Sequence, residues 1–176
     1  MVAQYHRLEL PAESLGIQQV NKAKWNDGRS AGEADFYTFG YSGRATDEIL
    51  GLVKAAGALS VIDIRFSPVS MYKPDFSKAN LRRIVNAYGL YYLHLPKLGV
   101  PRDIRAKAIA AGSRDVIWEW YDKFVVSPFI GRNLHQFLNV ADHPVALMCV
   151  EIDPTACHRH RLFLALERCG LRGFDL

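Results

Sequence analysis

From residue 36 onward the apolar residues follow two alternating rhythms: short runs suited to strands, and 3.6-spaced stripes suited to helices. Phe36-Tyr37-Thr38-Phe39 is an aromatic, β-prone run that ends at Gly40. After Gly43-Arg44, Thr46 is expected to cap a helix, with Asp47 and Glu48 in its positive first turn. Ile49, Leu50 and Val53 supply the apolar stripe of that helix, and Gly57 its stop. Leu59 to Ile64 reads as a buried strand. The spacing of Leu81, Ile84, Val85 and Tyr88 predicts a second helix over about Lys78 to Tyr88, capped by Ser77 and terminated by Gly89. Tyr91 to Leu95 is a third strand, stopped by Pro96.

Residues 102 to 138 carry no convincing strand; Ile117, Trp120, Tyr121 and Phe124 mark one amphipathic helix there, with shorter helices beside it. Val145 to Val150 is the most buried-looking strand. Asp153-Pro154 is expected to open a last helix, a cap residue followed by proline in the first turn. Leu162, Ala165, Leu166 and Cys169 form its inner face and Gly170 ends it, leaving room for a fifth strand near Leu171 to Leu176. Strands alternating with helices imply right-handed crossovers. The expected fold is a single α/β domain, Rossmann-like, over residues 36–176, with a mostly parallel sheet of four to five strands flanked by helices. Residues 1–35 are mixed and aperiodic, and read as an N-terminal extension with a short helix around Leu15 to Ala23.

Composition adds limits. The chain has 176 residues, 49% hydrophobic and 23% charged, which is ordinary for one globular domain with a real core. No apolar run approaches the roughly 20 residues of a membrane helix, and the N-terminus lacks a secretory signal, so a cytoplasmic protein with no membrane partner is expected. Three cysteines, Cys149, Cys157 and Cys169, are no disulfide framework and fit a reducing compartment. A net charge of +4 is mildly basic, so the placement of the arginines matters more than their number.

In a parallel sheet the C-terminal strand ends share one edge, where ligands usually bind. Four segments deliver polar side chains to it. Gly40, Tyr41, Ser42, Gly43 and Arg44 follow the first strand and could present backbone N–H groups to a phosphate, or be an ordinary glycine turn. Asp63 and Arg65 follow from the second, as an acid or base with an anion-binding arginine, or as a structural pair. His94 ends the third. Cys149 and Glu151 end the fourth, and Cys157, His158 and Arg159 lie at the next helix start, where a thiolate is favoured. Tyr41, Arg44, Arg65, Tyr72 and Lys73 also suggest a surface for nucleic acid. Cys169, on the apolar face, is expected to be packing. Cys149, Cys157, His158 and His94 carry atoms suited to zinc, but no close Cys-x-x-Cys pair brings them together, so neither a metal nor a cofactor is expected.

These segments resemble a known family, domain of unknown function 488. Thr38-Phe39-Gly40-Tyr41-Ser42-Gly43-Arg44 is similar to its opening motif, and Val61-Ile62-Asp63-Ile64-Arg65 with Ser67-Pro68 and Phe76 to its second. Tyr91 to Pro96 with Leu98-Gly99 resembles the third. Leu147 to Glu151, with Asp153-Pro154 and Cys157-His158-Arg159, resembles the fourth. Phe66 departs from the hydroxyl residue usual after the motif arginine, and the following loop holds fewer positive charges. The resemblance implies the fold and the position of the site; it supplies no activity.

Together these readings point to an enzyme acting on an anionic nucleotide- or nucleic-acid-derived substrate. Asp63, His94, Cys149, Cys157 and His158 are candidate catalytic groups. Gly40, Tyr41, Ser42, Gly43, Arg44, Arg65, Glu151 and Arg159 are candidate ligand-binding groups. The alternative is a binding module that uses the same edge without turnover.

Overall fold

The structure, a computed structural model, describes residues 30–134, 137, 139 and 141–176. The helix expected around Leu15 to Ala23 lies outside the described residues. Five strands, β1 (Phe36–Gly40), β2 (Ser60–Asp63), β3 (Tyr91–His94), β4 (Val145–Cys149) and β5 (Gly173–Asp175), form one parallel sheet in the order β3-β2-β4-β1-β5. The helices between them are α1 (Thr46–Ala55), α2 (Lys78–Ala87), α3 (Arg102–Ala111), α4 (Asp115–Tyr121) and, after β4, α5 (His158–Arg168).

The strand order explains how the helices are distributed. From β1 the chain steps through β2 to β3 in one direction, then reverses past them to β4 and β5. Right-handed crossovers in opposite directions must pass on opposite faces of the sheet. Two separate apolar cores result. Ile49, Leu50 and Val53 of α1 and Leu81 and Val85 of α2 pack against Tyr37, Phe39, Val61, Tyr92, Ala146 and Met148. On the other face, Ile104, Tyr121 and the Leu162 and Leu166 stripe of α5 cover Phe36, Ile62, Val145, Leu147 and Cys149.

Local expectations hold at most element ends, with instructive exceptions. Gly57 and Gly170 both take positive φ, as helix stops there require. Thr46 is the first helical residue, not the cap; Ala45 holds the cap position and the Thr46 hydroxyl donates to Asp75 instead. Ser77 does hold the cap position of α2, but its hydroxyl bonds to the Ser70 backbone. Asp153 caps only a 3-10 turn, Pro154–Ala156, and α5 starts afresh at His158 with Cys157 in its cap position. The extended Cys157 backbone (φ −123°) separates the two helical pieces.

The stripe through Phe124 breaks for a similar reason. After Tyr121 the helix widens into π turns over Asp122–Val126 and again over Phe129–Asn133. The wider turn rotates the inward face, so Val125 and Val126 are buried while Phe124 is exposed. Phe124→Ser should therefore change stability by no more than about 0.5 kcal/mol. Val125→Ala should cost about 2 kcal/mol, and urea unfolding of the two variants would check the order. Among the described residues no helix is long and apolar enough to cross a membrane.

Candidate functional site

All five strands run the same way, so the candidate residues do share one edge of the sheet. They do not share a face. Side chains alternate along a strand, and the register pairs Ile62 with Leu147 and Asp63 with Met148. Asp63 therefore falls on the α1/α2 face and Cys149 on the α3–α5 face. The polar residues form three groups instead of one.

The first group is a closed ionic plug. The Arg65 Nε donates to Asp63 Oδ1 at 2.8 Å and its Nη2 to Oδ2 at 2.6 Å, a bidentate pair. Asp63 also accepts from the Tyr92 hydroxyl (2.8 Å) and the Arg65 backbone N–H (3.1 Å). Arg65 further donates to the Phe76 carbonyl (2.7 Å) and the Tyr41 hydroxyl (3.0 Å). Tyr41 stacks on Phe76 with ring centroids 3.9 Å apart, sealing the pair, and Asp63 is wholly buried. Burial alone would lower the Arg65 pKa; the hydrogen bonds and charge of Asp63 outweigh it and raise it above the ordinary range. Next to this plug, His94 Nε2 lies 2.8 Å from the Arg65 carbonyl, where a protonated nitrogen donates.

The second group ties the loops together. In the turn after β1, the Tyr41 N–H bonds to the Cys149 carbonyl, the Ser42 N–H to Val150 and the Arg44 N–H to Tyr41, so these amides face protein. Arg44 donates to the Leu176 carbonyl at 2.8 Å. Gly43 takes φ +78° with open space around it. Arg159, fully buried, donates to the carbonyls of Glu151 and Ile152 and pairs with Asp175.

The third group holds the thiols. Cys149 Sγ, Cys157 Sγ and a His158 ring nitrogen all lie within 4.8 Å of one another, and all three residues are buried. Glu151 Oε2 is 3.6 Å from Cys149 Sγ. The His158 ring meets the edge of Tyr121 at 5.0 Å, and its Nε2 faces the Ile64 carbonyl at 3.4 Å. Burial pushes the Cys149 thiol well up, aided by Cys157. Burial also acts to raise Cys157, but the hydrogen bond from Cys149 and the charges of His158 and Arg159 outweigh it and hold the thiol well below its usual range. Glu151 is raised by burial and by the Cys157 charge. Cys169 lies apart from this cluster, buried among the packing residues of α5.

Beside this group opens a concavity of about 320 Å³, with Glu151 and His158 on its inner side. Its other wall comes from α3, α4 and the turn between them and carries Arg105, Ser113, Arg114 and Trp118. The Arg105 Nε donates to the Val100 carbonyl at 3.3 Å, and Arg114 Nη1 donates to the Ala156 carbonyl. Sequence reasoning passed over these residues because it treated 102–138 only as packing helices. The available signal was two arginines, Arg105 and Arg114, just ahead of an amphipathic stretch that contains Trp118. Zinc-type ligand atoms are brought together here without a Cys-x-x-Cys pair, because the turn after β4 carries the chain back to the same sheet edge.

A family model, Domain of unknown function DUF488, matches residues 45–166. The chain belongs to the DUF488 family. The DUF488 match takes in the Asp63–Arg65 plug, the whole thiol group and both walls of the concavity, whereas Gly40, Tyr41, Ser42, Gly43 and Arg44 precede it. No curated protein and no solved structure matches the chain.

Proposed function

We propose that the protein is an enzyme acting on a small anionic substrate of the nucleotide or nucleic-acid-derived class, held in the concavity between α3, α4 and the end of β4. The observation that carries this reading is the meeting of two arginines and an indole with Glu151 and His158 around one hollow. Arg105 and Arg114 supply donors for phosphate or carboxylate oxygens, and the Trp118 face suits a planar base. Glu151 and His158 are the groups positioned to move a proton on a bound substrate. Asp63, Arg65 and Arg159 act as positioning residues in this reading, since their charges are engaged within the protein, and Arg44 ties the turn after β1 to Leu176.

The burial of Cys149 and Cys157 favours a second reading, a binding module without turnover, because a substrate carbon has no open approach to either sulfur. Titration of the full chain with inorganic phosphate and a panel of nucleoside monophosphates, followed by tryptophan fluorescence, separates these readings from their absence. Nucleotides should bind more tightly than phosphate, and Arg114→Ala should weaken them about 10-fold, within the range for a hydrogen bond to a charged group at a partly exposed site. The fluorescence change should vanish in Trp118→Phe. Equal response to phosphate and nucleotides would remove the stacking role of Trp118. Binding with no product in any incubation would favour the module.

A further inference from the structure

We propose that Cys149, Cys157 and His158 form a binding site for a zinc-type divalent cation, with Glu151 as the fourth ligand. The ligand geometry is independent of a nucleotide in the concavity; with the cation bound, Glu151 and His158 serve as its ligands, and their proton-moving role belongs to the metal-free protein. Tetrahedral zinc, with bonds of about 2.3 Å to sulfur and about 2.0–2.1 Å to nitrogen or oxygen, holds a sulfur about 3.6 Å from each nitrogen or oxygen neighbour. Cys149 Sγ lies 3.8 Å from His158 Nδ1 and 3.6 Å from Glu151 Oε2. The two sulfurs and the ring nitrogen all lie within 4.8 Å of one another. Three ligand atoms are therefore already gathered, and side-chain shifts would bring them, together with Glu151 Oε2 3.6 Å from Cys149 Sγ, to the edge lengths of a zinc tetrahedron.

The surroundings fit as well. A metal-bound histidine usually donates its other ring N–H to a carbonyl or carboxylate, which fixes the tautomer. His158 Nε2 faces the Ile64 carbonyl at 3.4 Å, and Cys149 Sγ lies 3.8 Å from both ring nitrogens, so a turn of the ring that keeps Nε2 on the carbonyl would bring Nδ1 to the metal. The thiols are buried, and Glu151 and His158 line the neighbouring concavity, which would give a cation its entry to the site. The mixture of two sulfurs, one imidazole and one carboxylate suits borderline-soft zinc over magnesium or calcium. Both sulfurs bind as thiolates and release their protons to solvent. Arg159, whose charge is felt by both thiols, offsets the net negative charge of the filled site.

The test uses the full chain, purified under reductant and titrated with cobalt(II), then analysed for zinc after supplementation and exhaustive dialysis. One equivalent of zinc is expected. Cobalt should give intense tetrahedral visible bands and a thiolate charge-transfer band in the near ultraviolet, a reading of the wild-type protein that needs no variant to fold. Cys149→Ser and Cys157→Ser should each weaken binding by more than about 100-fold, beyond what loss of an outer partner costs. Cys169→Ser, altering a thiol outside the cluster, should retain one equivalent. Octahedral cobalt spectra, zinc well below one equivalent, or binding unchanged in both cluster variants would overturn the proposal. So would a Cys149–Cys157 disulfide in protein isolated without added oxidant.

Discussion

Asp63→Ala should destabilise the protein by about 3–5 kcal/mol, the cost of leaving one partner of a buried ion pair without its counter-charge. Arg65 cannot escape by losing its proton, since a guanidinium stays charged, and it is only 3% exposed. Its bonds to Tyr41 and to the Phe76 carbonyl hold it in place under the stacked rings. The Tyr92 hydroxyl would lose its acceptor at the same time. Against a typical total of about 5–15 kcal/mol, such a loss removes a large share of stability. Arg65→Ala should be milder, because Asp63 keeps its hydrogen bonds from the Tyr92 hydroxyl and the residue 65 backbone N–H. The double variant Asp63→Leu with Arg65→Met should recover much of the loss, as removal of a whole buried pair often does. Urea unfolding of the single and double variants forms the cycle that isolates the coupling. A cost below about 1 kcal/mol for Asp63→Ala, the level of an exposed ion pair, would mean the pair is wet and open to a ligand, and the assignment of Arg65 to positioning would fall.

Gly40→Ala should be the most damaging change in the turn after β1. A Cβ at this position would sit 1.8 Å from the Glu151 carbonyl oxygen and 2.5 Å from its carbon, and both are backbone atoms. The same carbonyl accepts from buried Arg159, so it has little freedom to retreat. The expected cost is at or above the upper end of the roughly 1–3 kcal/mol of an overpacked core. Glu151 would be displaced with its backbone, so nucleotide and cobalt binding should weaken together in whatever folded protein remains. Gly43→Ala offers the contrast. Its neighbourhood is open, and the penalty there is the left-handed backbone, φ +78°, about 1–2 kcal/mol. Gly43→Ala should lower the melting temperature and leave both affinities unchanged. Equal effects of the two substitutions on binding would show that the turn matters as a flexible loop and not as a packing contact.

These two glycines also show how far a local reading carries. Glycines after a strand left two readings open, an ordinary glycine turn or a phosphate-binding one, and the second is a statement about backbone N–H groups. The fold instead uses Gly40 for the approach of another segment, and spends the Tyr41, Ser42 and Arg44 amides on neighbouring carbonyls. A contact between residues 40 and 151 has no local signature.

The alternation of strand runs and helical stripes was enough to determine four strands with room for a fifth, the main helices and a mostly parallel α/β sheet, because periodicity reports which face of an element is buried. It also placed Asp63, His94, Cys149 and Cys157 at one edge, since strand ends share an edge whenever all strands run the same way. Pleating within each strand was legible too: Asp63 shares a face with Val61, and Cys149 with Leu147. What only the tertiary structure decided is the register between strands. It sets Asp63 beside Met148 and so sends the acid and the thiols to opposite faces. The same holds for α3 and α4, whose arginines and Trp118 meet Glu151 only because the chain reverses direction after β3. Periodicity is a property of one segment, whereas register and crossover direction belong to pairs of segments far apart in the chain, and it is those pairs that assemble the site.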